Sequence, residues 1–205
     1  WIAIFRDDLK SLLAFSTVSQ LGLITMLLGF GTEAAAVAAM FHIVNHATFK
    51  AALFMTAGII DHEAGTRSIA RLGGLRRLMP ITFVIGTIAS LSMAGVAPLN
   101  GFLSKELMLE AAAHTSWMGH PYLLGVLATV GAIFSVCYSL RFVWQVFFGP
   151  ERDDYPHHPH DPGFGLWVAP AFLVVLVVLI GLFPNLTAGW LVEASASAVT
   201  GAHPH

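Results

Sequence analysis

Three ionisable side chains, His42, His46 and Lys50, recur at intervals of four residues within the apolar segment 35–60. On an α-helix this spacing places them on one face, in a column about 12 Å long. Histidine titrates near neutral pH, and a lysine inside a protein gives up its proton more readily than one in water. Ionisable groups in a membrane helix mark ion or proton paths. The pattern therefore predicts part of a proton route.

Further polar side chains in apolar surroundings extend the candidate set. Lys105 and Glu106 follow Pro98–Gly101 in the third apolar segment, and Lys10 lies near the start of the first. Groups of this kind, a few ångströms apart or joined by water, can pass a proton sideways through a helix bundle. The predicted proton-transfer set is Lys10, His42, His46, Lys50, Lys105 and Glu106.

Structural explanations compete with this prediction. Polar groups also hold neighbouring membrane helices together, which is the favoured interpretation for Ser16, Thr17, Ser19 and Gln20. Lys105 could instead extend its ammonium group to the membrane surface. A zinc pair at His42 and His46 would need further ligands, and the Lys50 ammonium would repel the ion. No metal is therefore expected.

The composition indicates a membrane protein. Hydrophobic residues make up 56% of the sequence and charged residues 11%, with a mean hydropathy of +0.74, whereas soluble domains contain about 25% charged residues. The net charge of −2 and the dispersed cations argue against a nucleic-acid partner. The chain opens on the end of an apolar segment without an initiator methionine, so we expect it to be a fragment of a larger protein.

The apolar segments predict an all-α, polytopic transmembrane helix bundle of about five spans. About 20 apolar residues are needed for a helix to cross the bilayer. Asp7 and Asp8 precede the first span and suit the positive end of its helix dipole. The predicted spans are residues 9–30, 35–60, 81–113, 122–148 and 166–182.

The third span is predicted to be discontinuous. Proline removes a helical hydrogen bond and glycine relaxes the backbone, so a break is expected near Pro98–Gly101. Asn100 and Gly101 should then lie off helical geometry. A break at membrane depth is tolerated only where it is buried in protein or lines a cavity.

Positive charge is distributed asymmetrically along the chain. If the spans alternate in direction, eight cations fall at or near one membrane face, whereas loops 31–34 and 114–121 contain none. The positive-inside rule makes the first face cytoplasmic, together with loops 61–78 and 149–165. The eight cations are Arg6, Lys10, Arg67, Arg71, Arg76, Arg77, Arg141 and Arg152.

Three segments together resemble the proton-translocating antiporter family that respiratory complex I shares with Mrp-type cation/proton antiporters. They are residues 8–22, 41–50 and 100–106, and the similarity extends over about residues 1–150. Residues 61–67 and 99–105 look closer to the large A-type subunits of Mrp Na+/H+ antiporters than to the complex I subunits.

The resemblance implies an architecture of two inverted five-helix repeats, each with a broken helix. Residues 1–150 would form the second repeat of this proton-translocation core. Residues 151–205 would follow it as a loop, one further span and a small polar tail. The first repeat, with its glutamate–lysine pair, would lie outside this sequence, which therefore cannot hold the whole proton path. The family's polar axis maps onto Lys10, His42, His46, Lys50 and Lys105.

The resemblance also implies a function. The chain would belong to one membrane protein of a hetero-oligomeric antiporter that exchanges Na+ or another monovalent cation for protons across a bacterial inner membrane. Its expected partners are the other subunits, the lipid bilayer, protons and the cation, with no organic cofactor and no enzymatic reaction. Two alternatives remain open: a proton-pumping subunit of complex I, an NADH–quinone oxidoreductase, and a structural membrane subunit without a transport path.

The charge asymmetry predicts how introduced cysteines are labelled. In a chain whose own Cys137 is replaced by serine, a cysteine at Ser68 should react only from the cytoplasmic side and one at Thr115 only from outside. A membrane-impermeant maleimide, applied to intact cells and to inverted vesicles, measures both. Labelling of both positions in intact cells would contradict the orientation.

Overall fold

The computed structural model describes residues 1–201 and confirms the all-α bundle. Turns of 3-10 helix lie at Ile2–Phe5 and Ile69–Arg71, and wider π-helical turns at Trp144–Phe148 and Asn185–Gly189. The end of the predicted tail, residues 202–205, lies outside the described residues. The α-helices are α1 (Leu9–Leu28), α2 (Glu33–Ala64), α3 (Leu75–Leu78), α4 (Pro80–Ala94), α5 (Asn100–Ala113), α6 (Leu123–Val143), α7 (Phe164–Leu182) and α8 (Trp190–Thr200).

Local capping residues explain where the first two helices begin and end. The Asp8 carboxylate accepts a hydrogen bond from Ser11 N at 2.8 Å and caps α1. The Thr32 hydroxyl accepts one from Ala35 N at 3.3 Å and caps α2 in the same way. Gly65, with φ of +69°, ends α2 because glycine adopts the left-handed conformation at little cost.

Two predicted boundaries are wrong. α2 continues through residues 61–64, which were predicted as loop, and the ion pair between Asp61 and Lys10 supports this last turn. The segment after Pro184, predicted as a small polar tail, contains α8, which packs against α2 with Val192 buried.

The predicted discontinuous span is confirmed, but its break lies slightly earlier than expected. α4 ends at Ala94 and α5 begins at Asn100, so the interruption covers residues 95–99 and includes Pro98. Asn100 and Gly101 are helical, so the prediction of non-helical geometry at these two positions is wrong. Within the described part of the chain, α1, α2, α6 with its π-helical turn, and α7 are each long and apolar enough to cross a membrane.

α2 is the central helix of the bundle and packs against α1, α4, α5, α7 and α8. Its buried Phe49 and Leu53 belong to a core that also includes Leu12 of α1 and Val177 of α7. α7 crosses directly over the break. A Cβ atom on Gly181 would lie 2.2 Å from the Pro98 carbonyl oxygen, so the close approach requires glycine.

The two arginine-bearing loops pack on each other at one end of the bundle. The Tyr155 hydroxyl accepts a hydrogen bond from Gly73 N at 3.0 Å and donates one to Gly73 O at 2.6 Å. Burial raises the pKa of the Tyr155 phenol above its ordinary value, which keeps it a neutral donor. Arg77 pairs with Glu151 at 3.3 Å across the same junction.

The loop after α6 also caps α4. Pro80 opens that helix, and the Asp161 carboxylate accepts hydrogen bonds from Ile81 N at 2.8 Å, Thr82 N at 3.0 Å and Thr82 Oγ1 at 2.8 Å. The cap is supplied across about 80 residues of sequence, so it joins the loop to the first half of the discontinuous helix.

Replacing Asp161 with alanine should release this loop. Loss of the cap removes about 1–2 kcal/mol of local stability, and trypsin should then cleave at exposed Arg152 faster than in the parent. Limited proteolysis of membranes, followed by immunoblotting, measures the rate. His158→Ala shortens an exposed side chain of the same loop away from the cleaved bond and is the control. Equal rates in the two variants would contradict the capping role.

Candidate functional site

The break in the discontinuous helix exposes backbone carbonyl groups, and Lys105 binds them. The last carbonyls of a helix have no following turn to bind. Buried Lys105 points back toward the start of α5, as helical side chains do. Its Nζ donates to Met93 O at 2.7 Å, Ala94 O at 3.1 Å and Ser135 Oγ at 2.7 Å. All three N–H groups of the ammonium therefore have an acceptor, and the negative end of the α4 helix dipole stabilises the positive charge of Lys105.

Polar side chains hold the two halves of the discontinuous helix together. The Ser92 hydroxyl donates to Asn100 Oδ1 at 2.6 Å and accepts from Gly101 N at 3.1 Å. Asn100 Nδ2 donates to Thr48 Oγ1 at 3.0 Å, and Asn100 O accepts from Asn45 Nδ2 at 3.0 Å. A Cβ atom on Gly101 would lie 1.9 Å from Ser92 O, so this junction admits only glycine.

Both ring nitrogens of His42 have hydrogen-bond partners. Nε2 lies 2.8 Å from Gln20 Oε1, and Nδ1 lies 2.9 Å from Ser104 Oγ. The Gln20 amide nitrogen in turn donates to Tyr138 OH at 2.7 Å and to Ser135 Oγ at 3.3 Å. His42 is completely buried, and its imidazole is therefore held from α1 and from α5 at once.

Hydrogen bonds connect His42 to Lys105. The link runs through the Gln20 amide to Ser135 Oγ, which accepts from Lys105 Nζ and donates to Met93 O at 2.9 Å. This continuous set spans four helices, α1, α2, α5 and α6. We call it the central network, and its members are Gln20, His42, Ser104, Lys105, Ser135 and Tyr138.

Lys50 lies at the other end of the α2 column. Its Nζ donates to Ser16 Oγ and lies 3.2 Å from Met93 Sδ, and Met93 also supplies a carbonyl oxygen to Lys105. His46 stands between His42 and Lys50, with the two imidazole centroids 6.1 Å apart. Among the described residues, His46 Nε2 is buried without a hydrogen-bond partner. The three ionisable side chains thus share one buried face, as their spacing predicts.

The atoms that bind the two buried lysines are uncharged. Within residues 1–201 neither Lys50 nor Lys105 forms an ion pair. A buried charge without compensation is costly. Here carbonyl and hydroxyl oxygen atoms bind the Lys105 ammonium group, and a hydroxyl oxygen and the Met93 sulfur bind that of Lys50. Loss of a proton from Lys105 leaves a neutral amine in a neutral pocket, and no unpaired carboxylate remains. The arrangement can therefore hold a proton and release it.

Two of the predicted site residues lie apart from the central network. Lys10 is partly exposed and pairs with Asp61 at 2.7 Å at the arginine-rich end of the bundle. Glu106 is exposed on α5, where it lines a groove that also contains Glu193 of α8. It follows Lys105 in sequence, and neighbouring residues on a helix point in different directions. The structure therefore brings together His42, His46, Lys50 and Lys105, but not Lys10 or Glu106.

Sequence reasoning missed several members of the network. Ser135 and Tyr138 lie in the apolar fourth span, and Ser104 lies next to Lys105. Gln20 was interpreted only as a contact between helices. The sequence does contain a pattern that could have indicated them. Tyr138 and Ser139 follow Ser135 by three and four residues, so the three polar side chains share one face of α6. In an otherwise apolar span such a face predicts a polar partner.

The site shows no arrangement suited to a metal ion. Among the described residues, no three or more His, Cys, Asp or Glu side chains come together as a ligand set. Both His42 nitrogens bind other side chains. The imidazole, ammonium and hydroxyl groups of the site can bind protons and form hydrogen bonds.

These features define a class of protein. The chain is a multi-pass membrane bundle with a discontinuous helix and ionisable side chains buried at the break. Polar groups at such breaks are characteristic of membrane transport proteins. The comparisons with known proteins identify the family within this class.

The chain belongs to the NADH:quinone oxidoreductase/Mrp antiporter transmembrane family, whose model matches residues 1–135. The probable A/B subunit of a K+/H+ antiporter from Rhizobium meliloti is 50% identical over 204 residues, which cover 97% of this chain and 20% of that protein. The A1 subunit of a Na+/H+ antiporter from Staphylococcus saprophyticus is 44% identical over an alignment of 214 positions, which covers 95% of this chain and 27% of that protein.

A solved structure, that of the Mrp complex from Dietzia sp. DQ12-45-1b, has the same fold. It superimposes with a TM-score of 0.81 and 39% identity over 98% of this chain and 21% of the matched chain. The present chain thus spans about a fifth to a quarter of the length of these relatives.

Gly101→Ala should destabilise the junction of α4 and α5. The added methyl group would collide with Ser92 O, and overpacking a buried site costs about 1–3 kcal/mol. We expect less folded protein after detergent extraction and a lower thermal midpoint. Gly58→Ala in α2 is the matched control, because nothing lies within 4 Å of its added methyl group. Equal thermal midpoints for the two variants would refute the close-approach argument.

Proposed function

We propose that the chain forms part of the transport core of a membrane antiporter complex that exchanges Na+ or another monovalent cation for protons. In this proposal, residues 1–150 are the second five-helix repeat, and residues 151–205 are the segment that follows it. The chain contributes a proton-transfer path of lysine and histidine side chains, while the cation binds elsewhere in the complex. Family membership and the named antiporter relatives support this assignment.

The observation that carries the proposal is the position of Lys105. Its ammonium group is buried at the helix break and bound by three neutral oxygen atoms. A cation that served only to join helices would be expected to pair with a carboxylate, since an unpaired buried charge is expensive. A neutral pocket instead suits a group that alternates between ammonium and amine.

The path that we propose has two branches that meet at Met93. One contains Lys105 and His42, which hydrogen bonds through Ser135 and the Gln20 amide hold in position, while the amide itself carries no proton. The other begins at Lys50, whose ammonium group contacts the Met93 sulfur, and continues to His46. Water joining His46 Nε2 to its neighbours would complete the transfer, because an otherwise unsatisfied buried nitrogen is a typical partner of buried water. Lys10 and Glu106 lie outside both branches and are not assigned a step.

The proposed setting is a hetero-oligomeric complex in a bacterial inner membrane. The loops rich in arginine, 61–78 and 149–165, would face the cytoplasm. A hetero-oligomer is supported by the relatives, which are named as subunits, and by the solved Mrp complex. The relatives are named for K+ and for Na+, so the identity of the cation is open to direct measurement.

A complex I protein is the second candidate, because the family model includes NADH:quinone oxidoreductase. The high identity to A-type antiporter subunits favours the antiporter, a secondary transporter and not a classical enzyme. Co-purification distinguishes the two candidates. Small hydrophobic antiporter subunits beside the intact protein would support the proposal, and quinone oxidoreductase subunits would overturn it.

Replacing Lys105 tests the proton-carrier role. Lys105→Ala removes a site that must bind and release a proton, and cation-driven proton movement should fall at least tenfold. Lys105→Arg keeps the charge, but a guanidinium does not release its proton in proteins, so this variant should be almost as inactive. Inverted membrane vesicles with a pH-sensitive dye report the transport rate. The amount of assembled complex is measured alongside it.

The control is Arg71→Ala, which removes one positive charge from an exposed loop residue and should transport like the parent. A purely structural cation would tolerate arginine and would fail with alanine through misassembly. Parental transport by Lys105→Arg would therefore exclude a proton-carrier role for Lys105.

A further inference from the structure

Both polar atoms of the Gln20 side chain form hydrogen bonds, and they bind different kinds of group. Its carbonyl oxygen faces His42, and its amide nitrogen faces two hydroxyl groups, those of Tyr138 and Ser135. The side chain is completely buried in α1. An amide cannot act as a proton carrier under ordinary conditions, so its position between His42 and Lys105 requires another explanation.

The orientation of the Gln20 amide is fixed by its hydroxyl partners. Ser135 Oγ donates its own hydrogen to Met93 O at 2.9 Å, so toward Gln20 it can act only as an acceptor. The amide NH2 group must therefore face Ser135, and the Tyr138 oxygen at 2.7 Å accepts its second hydrogen. This leaves the amide carbonyl oxygen directed at His42.

A carbonyl oxygen only accepts hydrogen bonds, and this determines which ring nitrogen of His42 carries a hydrogen. Because Oε1 of Gln20 lies 2.8 Å from His42 Nε2, that nitrogen must be the N–H donor. His42 Nδ1 is then the nitrogen that is free to change its protonation state, and it faces Ser104 Oγ at 2.9 Å.

Ser104 can serve both states of His42 Nδ1. When the imidazole is neutral, the Ser104 hydroxyl donates to Nδ1. When Nδ1 carries a proton, it donates to Ser104 Oγ, whose own hydrogen can turn to Gly101 O at 3.3 Å. Rotation of one hydroxyl group therefore accommodates both states without moving a helix.

We propose that Gln20 is a positioning residue that fixes the tautomer of His42, so that His42 gains and loses its proton at Nδ1, on the side of Ser104. This inference rests on the proposed function, in which His42 is a transfer group. It assigns to Gln20 a role beyond joining helices, and to Ser104 the hydroxyl group that binds His42 Nδ1 in both of its protonation states.

The charged and titratable groups around His42 come from several helices. His46 and Lys50 lie on its own helix, Lys105 on α5 and Tyr138 on α6. Glu106 and Glu193 lie in the outer groove beside Phe41. At position 20 of α1 the neighbour is an uncharged amide, so a carboxylate placed there adds a charge to the ring nitrogen that Gln20 now binds.

Gln20→Glu tests the proposal with a nearly isosteric change. A carboxylate beside Nε2–H favours the protonated imidazole, so the pH profile of cation-driven proton exchange should move to higher pH by about one to three units. The whole complex is used, in inverted vesicles, over a range of pH. Gln145→Glu is the matched control, because Gln145 is exposed and outside the network, and its profile should be parental.

Tyr138→Phe is the second variant. Without the hydroxyl group the amide keeps only its long bond to Ser135, at 3.3 Å, so it can turn its NH2 group toward His42 more easily, which disfavours the protonated ring. The profile should move to lower pH, and the rate should fall several-fold. Residues that only join helices would change the amount of assembled complex and leave the profile in place.

The outcomes separate this inference from the proposed function. An assembled Gln20→Glu complex with a parental pH profile overturns the positioning role, and if that variant does not assemble, a parental profile for Tyr138→Phe does so. Parental transport by Lys105→Ala would instead overturn the proposed function itself. Inactive Lys105→Ala together with opposite shifts for Gln20→Glu and Tyr138→Phe supports both.

Discussion

The binding of an ammonium group by the free carbonyls of a broken helix is the interaction on which the rest of this site depends. The interaction depends on the break, because an uninterrupted helix would use Met93 O and Ala94 O for its own hydrogen bonds and neither would be free to bind Lys105. It also requires a hydrogen-bond donor at this position. A carboxylate would face two carbonyl oxygens and the negative end of a helix dipole. The identity of residue 105 and the interruption of α4 are therefore two aspects of one constraint.

The same interaction organises the neighbouring side chains. Ser135 fills the third ammonium position and, by donating to Met93 O, becomes an acceptor toward Gln20. Because Ser135 accepts, the Gln20 amide nitrogen faces it, and the amide oxygen then accepts from the N–H group of His42. A chain of directional hydrogen bonds thus transmits the polarity of the α4 terminus to an imidazole on another helix, and every member on the way is uncharged. A network of this kind has its donor and acceptor roles specified by geometry.

The sequence allowed the helix bundle, the column on α2 and the discontinuous span to be predicted, because apolar length, four-residue spacing and the proline–glycine signal are all local. The contacts that complete the site could not be predicted in this way. Ser135 and Gln20 are 115 residues apart, and Asp161 caps a helix that begins 81 residues earlier. Only the folded packing brings such pairs together. Glu106 shows the opposite case, since its place next to Lys105 in sequence suggested a shared site that helical geometry separates.

The glycine in α7 that touches the break has a mechanical consequence. Because the backbone at Gly181 lies against the Pro98 carbonyl, the interruption cannot straighten or swing without displacing a neighbouring helix. The break is therefore packed tightly against α7. The rearrangements that the proposed proton transfer needs are rotations of hydroxyl groups, the amide, imidazole rings and lysine side chains, and these do not require a helix to move. The proposed transfer would therefore proceed without a rocking motion of the helices themselves.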